Sequence, residues 1–157
     1  MSTDEEVMVN ISNELLDAVS IALPIWIERS VSERMRNARL APTEEIQSQI
    51  EQASVRAQIE IVDQLRQLFS LDIDEQKIGP LQILRRATVY PTEILRSAGV
   101  PPVPRDEQAI SMFADDIYDL TPANFADLGP DVHEKAIVWG AAKAHIHLSR
   151  RRAEGQR

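Results

Sequence analysis

The sequence predicts an all-α fold, a single-domain helical bundle with two long N-terminal helices, short middle helices and a long C-terminal helix. Three observations carry this. Val, Ile and Leu recur every three to four positions, the period of one helix face. Glycine is scarce, with five in 157 residues. Proline stands beside Thr and Glu at Pro42-Thr43-Glu44 and Pro91-Thr92-Glu93, a helix-start signal. A chain of this length buries a core without staples, so residues 1–157 are read as one domain. Residues 1–6 and 153–157 are expected to be disordered.

The first helix opens at a capping box, Thr3-x-x-Glu6. Its stripe runs Val7, Ile11, Leu15, Val19, Leu23, Trp26 or Ile27, Val31, Met35. Pro24 lies on its path and removes a backbone donor, so a kink or a split is expected there. The second helix starts at Pro42-Thr43-Glu44-Glu45, with carboxylates at the positive end of the dipole, and runs to about Leu68. It carries two stripes. Ile46, Ile50, Ala53, Ala57, Ile61, Leu65 and Leu68 form one; Val55, Ile59, Val62 and Phe69 form the other. Two stripes predict a central helix or an oligomer seam.

Asp72-x-x-Glu75 reads as another capping box, and Gly79-Pro80 as a break. A short helix from Leu81 is expected to stop at Tyr90-Pro91, because a residue before proline avoids the helical region. The next starts at Pro91 and closes at Gly99 with a left-handed cap. Val100 to Pro104 should be extended. A helix over Asp106 to about Phe113 and one turn from Thr121-Pro122 follow. The last helix opens after Gly129-Pro130 with Asp131-x-x-Glu134. Its Ala136, Gly140, Ala141, Ala142 and Ala144 allow a close helix neighbour, and its Arg-rich end suits the negative pole of the dipole. Trp26, Ile50, Ile61, Leu65, Leu84, Leu95 and Trp139 are the expected core.

Three segments of the chain resemble a family of small actinobacterial proteins of unassigned function. They are Leu84-Arg85-Arg86-Ala87-Thr88-Val89-Tyr90-Pro91-Thr92-Glu93 and its continuation to Pro102, Asp115-Asp116-Ile117-Tyr118-Asp119-Leu120-Thr121-Pro122, and Trp139-Gly140-Ala141-Ala142-Lys143-Ala144. The likeness covers residues 77–152. It implies a bacterial, cytoplasmic origin and a C-terminal half that behaves as one unit. It assigns no functional residue.

Charge is laid out unevenly. Asp106, Glu107, Asp115, Asp116, Asp119, Asp127, Asp131 and Glu134 fall in a stretch without Lys or Arg, and Lys135, Lys143, Arg150, Arg151 and Arg152 follow. Surfaces of opposite sign steer partners. The net charge of −8 opposes non-specific binding to nucleic acid or an anionic membrane. Cysteine is absent, which excludes disulfides and thiol nucleophiles and suits a reducing cytoplasm. The acidic N-terminus lacks a signal-peptide pattern. The apolar run Ile21 to Ile27 is short of a membrane span. The localisation expected is cytoplasmic, without membrane association.

No Gly-x-Ser-x-Gly, phosphate loop, Gly-x-Gly-x-x-Gly or His-Glu-x-x-His is present, so no catalytic residue, metal ligand or cofactor is assigned. His145 and His147 point apart on a helix and do not chelate one ion from one face. The leading expectation is a non-enzymatic interaction or adaptor protein. Its partner would be another protein or a second copy of the chain. Asp115, Asp116 and Asp119 would steer, Tyr118 and Phe125 would anchor, and Arg150, Arg151 and Arg152 would offer a basic counterpart. Reversing Asp115, Asp116 and Asp119 to Lys is then expected to abolish capture without changing the circular dichroism. One alternative is a transcriptional regulator using Arg85, Arg86 and Arg96 on a helix-turn-helix-like segment. Another is a small helical ligand-binding protein or enzyme whose site the fold assembles.

Overall fold

The computed structural model describes residues 3–155, which form helices and connections and no strand. Two long helices come first, α1 (Asp4–Asn37) and α2 (Glu44–Ser70). Next are α3 (Pro80–Arg85), a 3-10 turn (Arg86–Thr88) and α4 (Val89–Ser97). The remainder is α5 (Glu107–Met112), a second 3-10 turn (Phe125–Asp127) and α6 (Pro130–Gly155). α1 is the central element. It packs on α2, α4 and α6, so its buried residues face more than one side. The expected core residues, Trp26, Ile50, Ile61, Leu65, Leu84, Leu95 and Trp139, are all buried.

Local chemistry sets the helix ends. The Glu6 and Ile46 amides donate to the Thr3 and Thr43 hydroxyls, satisfying donors the first turn leaves unpaired. At the far end of α4, Gly99 takes φ +76°. The Val100 amide then reaches the Leu95 carbonyl and the Gly99 amide reaches that of Arg96, a Schellman closure. α1 closes in the same way around Arg39, at φ 58°.

Several expectations are corrected. α1 starts at Asp4 and α6 extends to Gly155, so residues 4–6 and 153–155 are helical, secured at the front by the Thr3 cap. Residues 1–2 and 156–157 lie outside the described residues. Asp72 opens a turn instead of a helix, accepting from the Asp74 amide at 3.1 Å. Pro91 does not start or stop a helix. It sits in the first turn of α4, where its missing donor has no helical partner to lose. The turn expected at Thr121-Pro122 forms at Phe125–Asp127, because Asn124 and Asp127 cap each other's amides. α2 is not the central helix. Its first stripe is buried, but Val55 and Ile59 on the second are 55% and 65% exposed. Of the small residues on α6, Gly140, Ala141 and Ala144 face outward.

Pro24 does not split α1. Its ring nitrogen cannot serve the Ser20 carbonyl four residues back, and the Gln58 side-chain amide from α2 donates to that carbonyl at 2.7 Å. A tertiary contact thus restores the bond the proline removes. Gln58→Leu is expected to destabilise the fold by about 1–2 kcal/mol, read by urea unfolding. In a Pro24→Ala background the new backbone amide can serve Ser20, and the loss should shrink; equal losses in both backgrounds would refute the coupling.

α1 holds an 18-residue window of mean hydropathy 1.2, long and apolar enough to cross a membrane by length and composition. A core helix passes the same test, and Leu15, Leu23, Ile27 and Val31 on α1 are fully buried in the bundle.

Candidate functional site

The acidic stretch and the segment before α6 form one irregular surface, and its order comes from two kinds of contact. Arginines from outside the stretch donate to its backbone carbonyls. Arg29 reaches Asp127 at 2.7 Å, and Arg34 reaches Tyr118 at 2.9 Å and Asp119 at 3.3 Å. Arg85 reaches Pro122 at 3.0 Å and Ala123 at 3.3 Å, and Arg105 reaches Phe113 at 2.6 Å. Carboxylates within the stretch accept from its amides. Asp106 caps Ala109, and Asp127 takes Ala123 and Asn124. Asp116 takes Leu120 and Thr121, both at 2.8 Å. Irregular backbone with few neighbouring strands or helices needs such partners.

These contacts reassign several candidate residues. Asp116 is 5% exposed and faces its own chain, so it offers nothing to a partner. Tyr118 is 1% exposed, and its hydroxyl donates to the Val100 carbonyl at 2.6 Å. Burial pushes that phenol's pKa upward. Tyr118 fastens the extended 100–105 strip to the 116–121 turn and is not a surface anchor. Phe125 is half-buried against the core. Asp119 is exposed at φ 55°, a left-handed conformation Asp tolerates. Asp115 is exposed without a hydrogen bond or ion pair among the described residues. The threefold reversal of Asp115, Asp116 and Asp119 is therefore expected to disturb the fold, since Asp116 is buried and accepts from the Leu120 and Thr121 amides.

The basic candidates divide as well. Arg85 lies 5.7 Å from the Phe113 ring in addition to its carbonyl contacts. Arg86 donates to Gln64 on α2. Arg96 is exposed on α4. Arg150 grips Asp72 with two nitrogens at 2.8 and 2.9 Å and also reaches Asp74. That bidentate contact holds the Asp72 carboxyl at about 2, below the usual carboxylate range. His147 adds a 2.9 Å contact to Asp74. Arg150 therefore ties α6 to the loop after α2, whereas Arg151 and Arg152 are exposed. On α4, the Tyr90 hydroxyl donates to Glu60 at 2.7 Å, and burial pushes its pKa upward.

Two adjoining grooves flank Met112 and Phe113. One, about 420 Å³, lies between α4 and the 112–116 segment and includes Val89, Thr92, Glu93, Arg96, Met112 and Asp115 in its wall. The other, about 320 Å³, is bounded by Arg85, Arg105, Asp106 and Asp119 and shares Met112, Phe113 and Asp116 with the first. Met112 is 62% exposed and Val89 47%. Neither stands out as a site residue in the sequence, because an isolated Met or Val has no motif. No group of three or more His, Asp or Glu placed to hold a metal occurs among the described residues. The chain matches no protein-family model, no curated protein and no solved structure.

Proposed function

We propose that this chain is a non-enzymatic interaction protein of the bacterial cytoplasm. It captures a basic protein segment that carries one large apolar side chain, seated in the groove beside Met112. The observation that carries the reading is Met112 and Val89, both exposed in the wall of that groove, which Phe113, Glu93 and Asp115 also line. Glu107, Asp115, Asp119, Asp131 and Glu134 are all exposed on the stretch that contains no Lys or Arg. Carboxylates of one sign raise the encounter rate with a cation-rich segment, and an apolar anchor slows its departure. The anchor is thus Met112 in place of Tyr118 and Phe125.

The probe is a labelled peptide with several Lys or Arg around a single Leu or Phe, titrated at low and moderate salt. Met112→Glu should weaken binding at least tenfold. Asp115→Lys should weaken it severalfold and flatten its salt dependence. Unchanged binding by Met112→Glu, or no binding by the native chain at low salt, refutes the reading. Duplex DNA in the same titration tests the regulator alternative. Arg85 and Arg86 are both engaged within the chain, leaving Arg96 as its main support.

A further inference from the structure

α6 turns one face to the bundle and leaves the opposite face bare. Val132, Trp139 and Ile146 point into the core. Across the helix from them stand Ile137, 58% exposed, Val138, 43%, and Leu148, 53%. Ala141 and Ala144 lie between these and are exposed too. A methyl group added at Gly140 would come within 4 Å of no described atom, so the chain's own packing does not require a small residue there.

The outward seam reads Glu134, Ile137, Ala141, Ala144, Leu148, Arg151. Its steps alternate between three and four residues, the spacing of a heptad seam. It is also symmetric about its midpoint, with a charge at each tip, a large apolar residue one step in and alanine at the centre. The two tip charges have opposite signs. A twofold axis between Ala141 and Ala144 therefore lays this helix on the antiparallel α6 of another copy. Glu134 meets Arg151, Ile137 meets Leu148 and Ala141 meets Ala144, each pair occurring twice.

The positions beside the seam agree. On one edge Asp131 comes level with Arg152, and Val138 with His145. On the other, His133 comes level with Glu154, and Gly140 with His147. Asp131 and Glu154 lie on opposite edges and do not meet. Asp131, Glu134, Arg151, Arg152 and Glu154 take part in no ion pair among the described residues. The remaining cations of α6 are engaged within the chain, Lys135 with Glu14, Lys143 with Gln76 and Arg150 with Asp72.

We propose that the outward face of α6 pairs with the same face of a second copy, giving an isologous dimer joined by an antiparallel two-helix seam. Every exposed Asp, Glu and Arg of residues 131–154 on this helix meets a group of other sign or a histidine, which selects a second copy over a foreign partner. Antiparallel alignment also sets the positive end of each helix dipole beside the negative end of the other. The seam is about 35 Å long, from the ~1.5 Å rise per residue, and about 10 Å wide, one helix diameter. That footprint lies below the standard interface size, so a transient dimer with Kd roughly 10–100 μM is expected, tighter at low salt.

Sedimentation velocity over roughly 5–500 μM tests this, the range bracketing that affinity. The 17.7 kDa chain should approach twice its mass as concentration rises. Ala144→Glu should stay monomeric throughout with unchanged circular dichroism. Arg151→Glu should weaken the dimer about tenfold, and adding Glu134→Arg should restore it. The chain has no cysteine, so single cysteines report the orientation. A mixture of Glu134→Cys and Arg151→Cys chains should cross-link on mild oxidation, unlike chains in preference to like. A native chain monomeric at every concentration, a dimer indifferent to Ala144→Glu, a charge swap that fails to restore association, or a preference for cross-links between like chains overturns the proposal.

Discussion

Trp139→Ala should lower the unfolding free energy by about 3–5 kcal/mol and the midpoint of thermal unfolding by roughly 6–20 °C. Trp139 is buried and joins three helices. Its indole nitrogen donates to the Ser12 hydroxyl on α1 at 3.0 Å, in a buried setting. Its ring lies 5.3 Å from that of Phe69 at the end of α2, and the Lys143 ammonium stands 5.1 Å from it. Alanine removes the largest side chain on the buried face of α6 and leaves a void between helices. Trp139→Phe separates the contributions. It keeps most of the apolar volume but leaves a buried hydroxyl without its donor, and should cost about 1–2 kcal/mol. Urea unfolding followed by circular dichroism reads both. A loss under about 1 kcal/mol for the alanine variant, against the usual cost of emptying a core site, would mean that α6 is not docked through this residue.

Asp116→Ala and Asp115→Lys, changes at adjacent positions, should behave oppositely. Asp116 is buried and its carboxylate accepts two charge-assisted bonds from the Leu120 and Thr121 amides. Removing it leaves both amides without partners and should cost about 2–4 kcal/mol. Asp115 is exposed, and its reversal should stay within about 0.5 kcal/mol. Asp116→Asn should fall between, because its amide keeps one acceptor oxygen but turns a donor toward a donor. The chemical-denaturation midpoints of the three variants test the ordering. Equal stability of the Asp115 and Asp116 variants would contradict the description of the turn.

Regular structure is legible in the sequence wherever its cause is local. The α1 stripe from Ile11 to Met35, the first stripe of α2, the Thr3 and Thr43 caps and the Gly99 closure depend on neighbours a few residues away and appear where expected, whereas Val7 at the head of the α1 stripe is 39% exposed. Proline misleads when its consequence is tertiary. Nothing near Pro24 indicates that Gln58 will meet the Ser20 carbonyl. Pro91 reads as a boundary because its position inside a first turn depends on where α4 begins. The candidate site is less legible. Asp115, Asp116 and Asp119 are alike in sequence, yet Asp116 faces inward because the chain turns there and its amides need an acceptor. Tyr118 resembles a surface anchor until its hydroxyl finds Val100, and Met112 gains a role only from the grooves beside it. The second stripe on α2 predicts burial on two sides, yet Val55 and Ile59 are exposed, because α1 and not α2 takes the central place in the bundle.

The contact between Trp139 and Ser12 spans 127 residues, and that separation has a meaning in time. A ribosome releases the chain from the N-terminus at roughly 5–20 residues per second, so about 6–25 s pass between the emergence of the two partners. During that interval α1 and α2 can pair, since their contacts are close in the chain, but the flank of α1 that α6 covers stays open to the cell. Leu15 and its neighbours are then an adhesive strip on a nascent hairpin. Truncation before Trp139 would make that transient state permanent. Such a fragment should accumulate in aggregates or on chaperones, while the full chain, once α6 closes over it, should not.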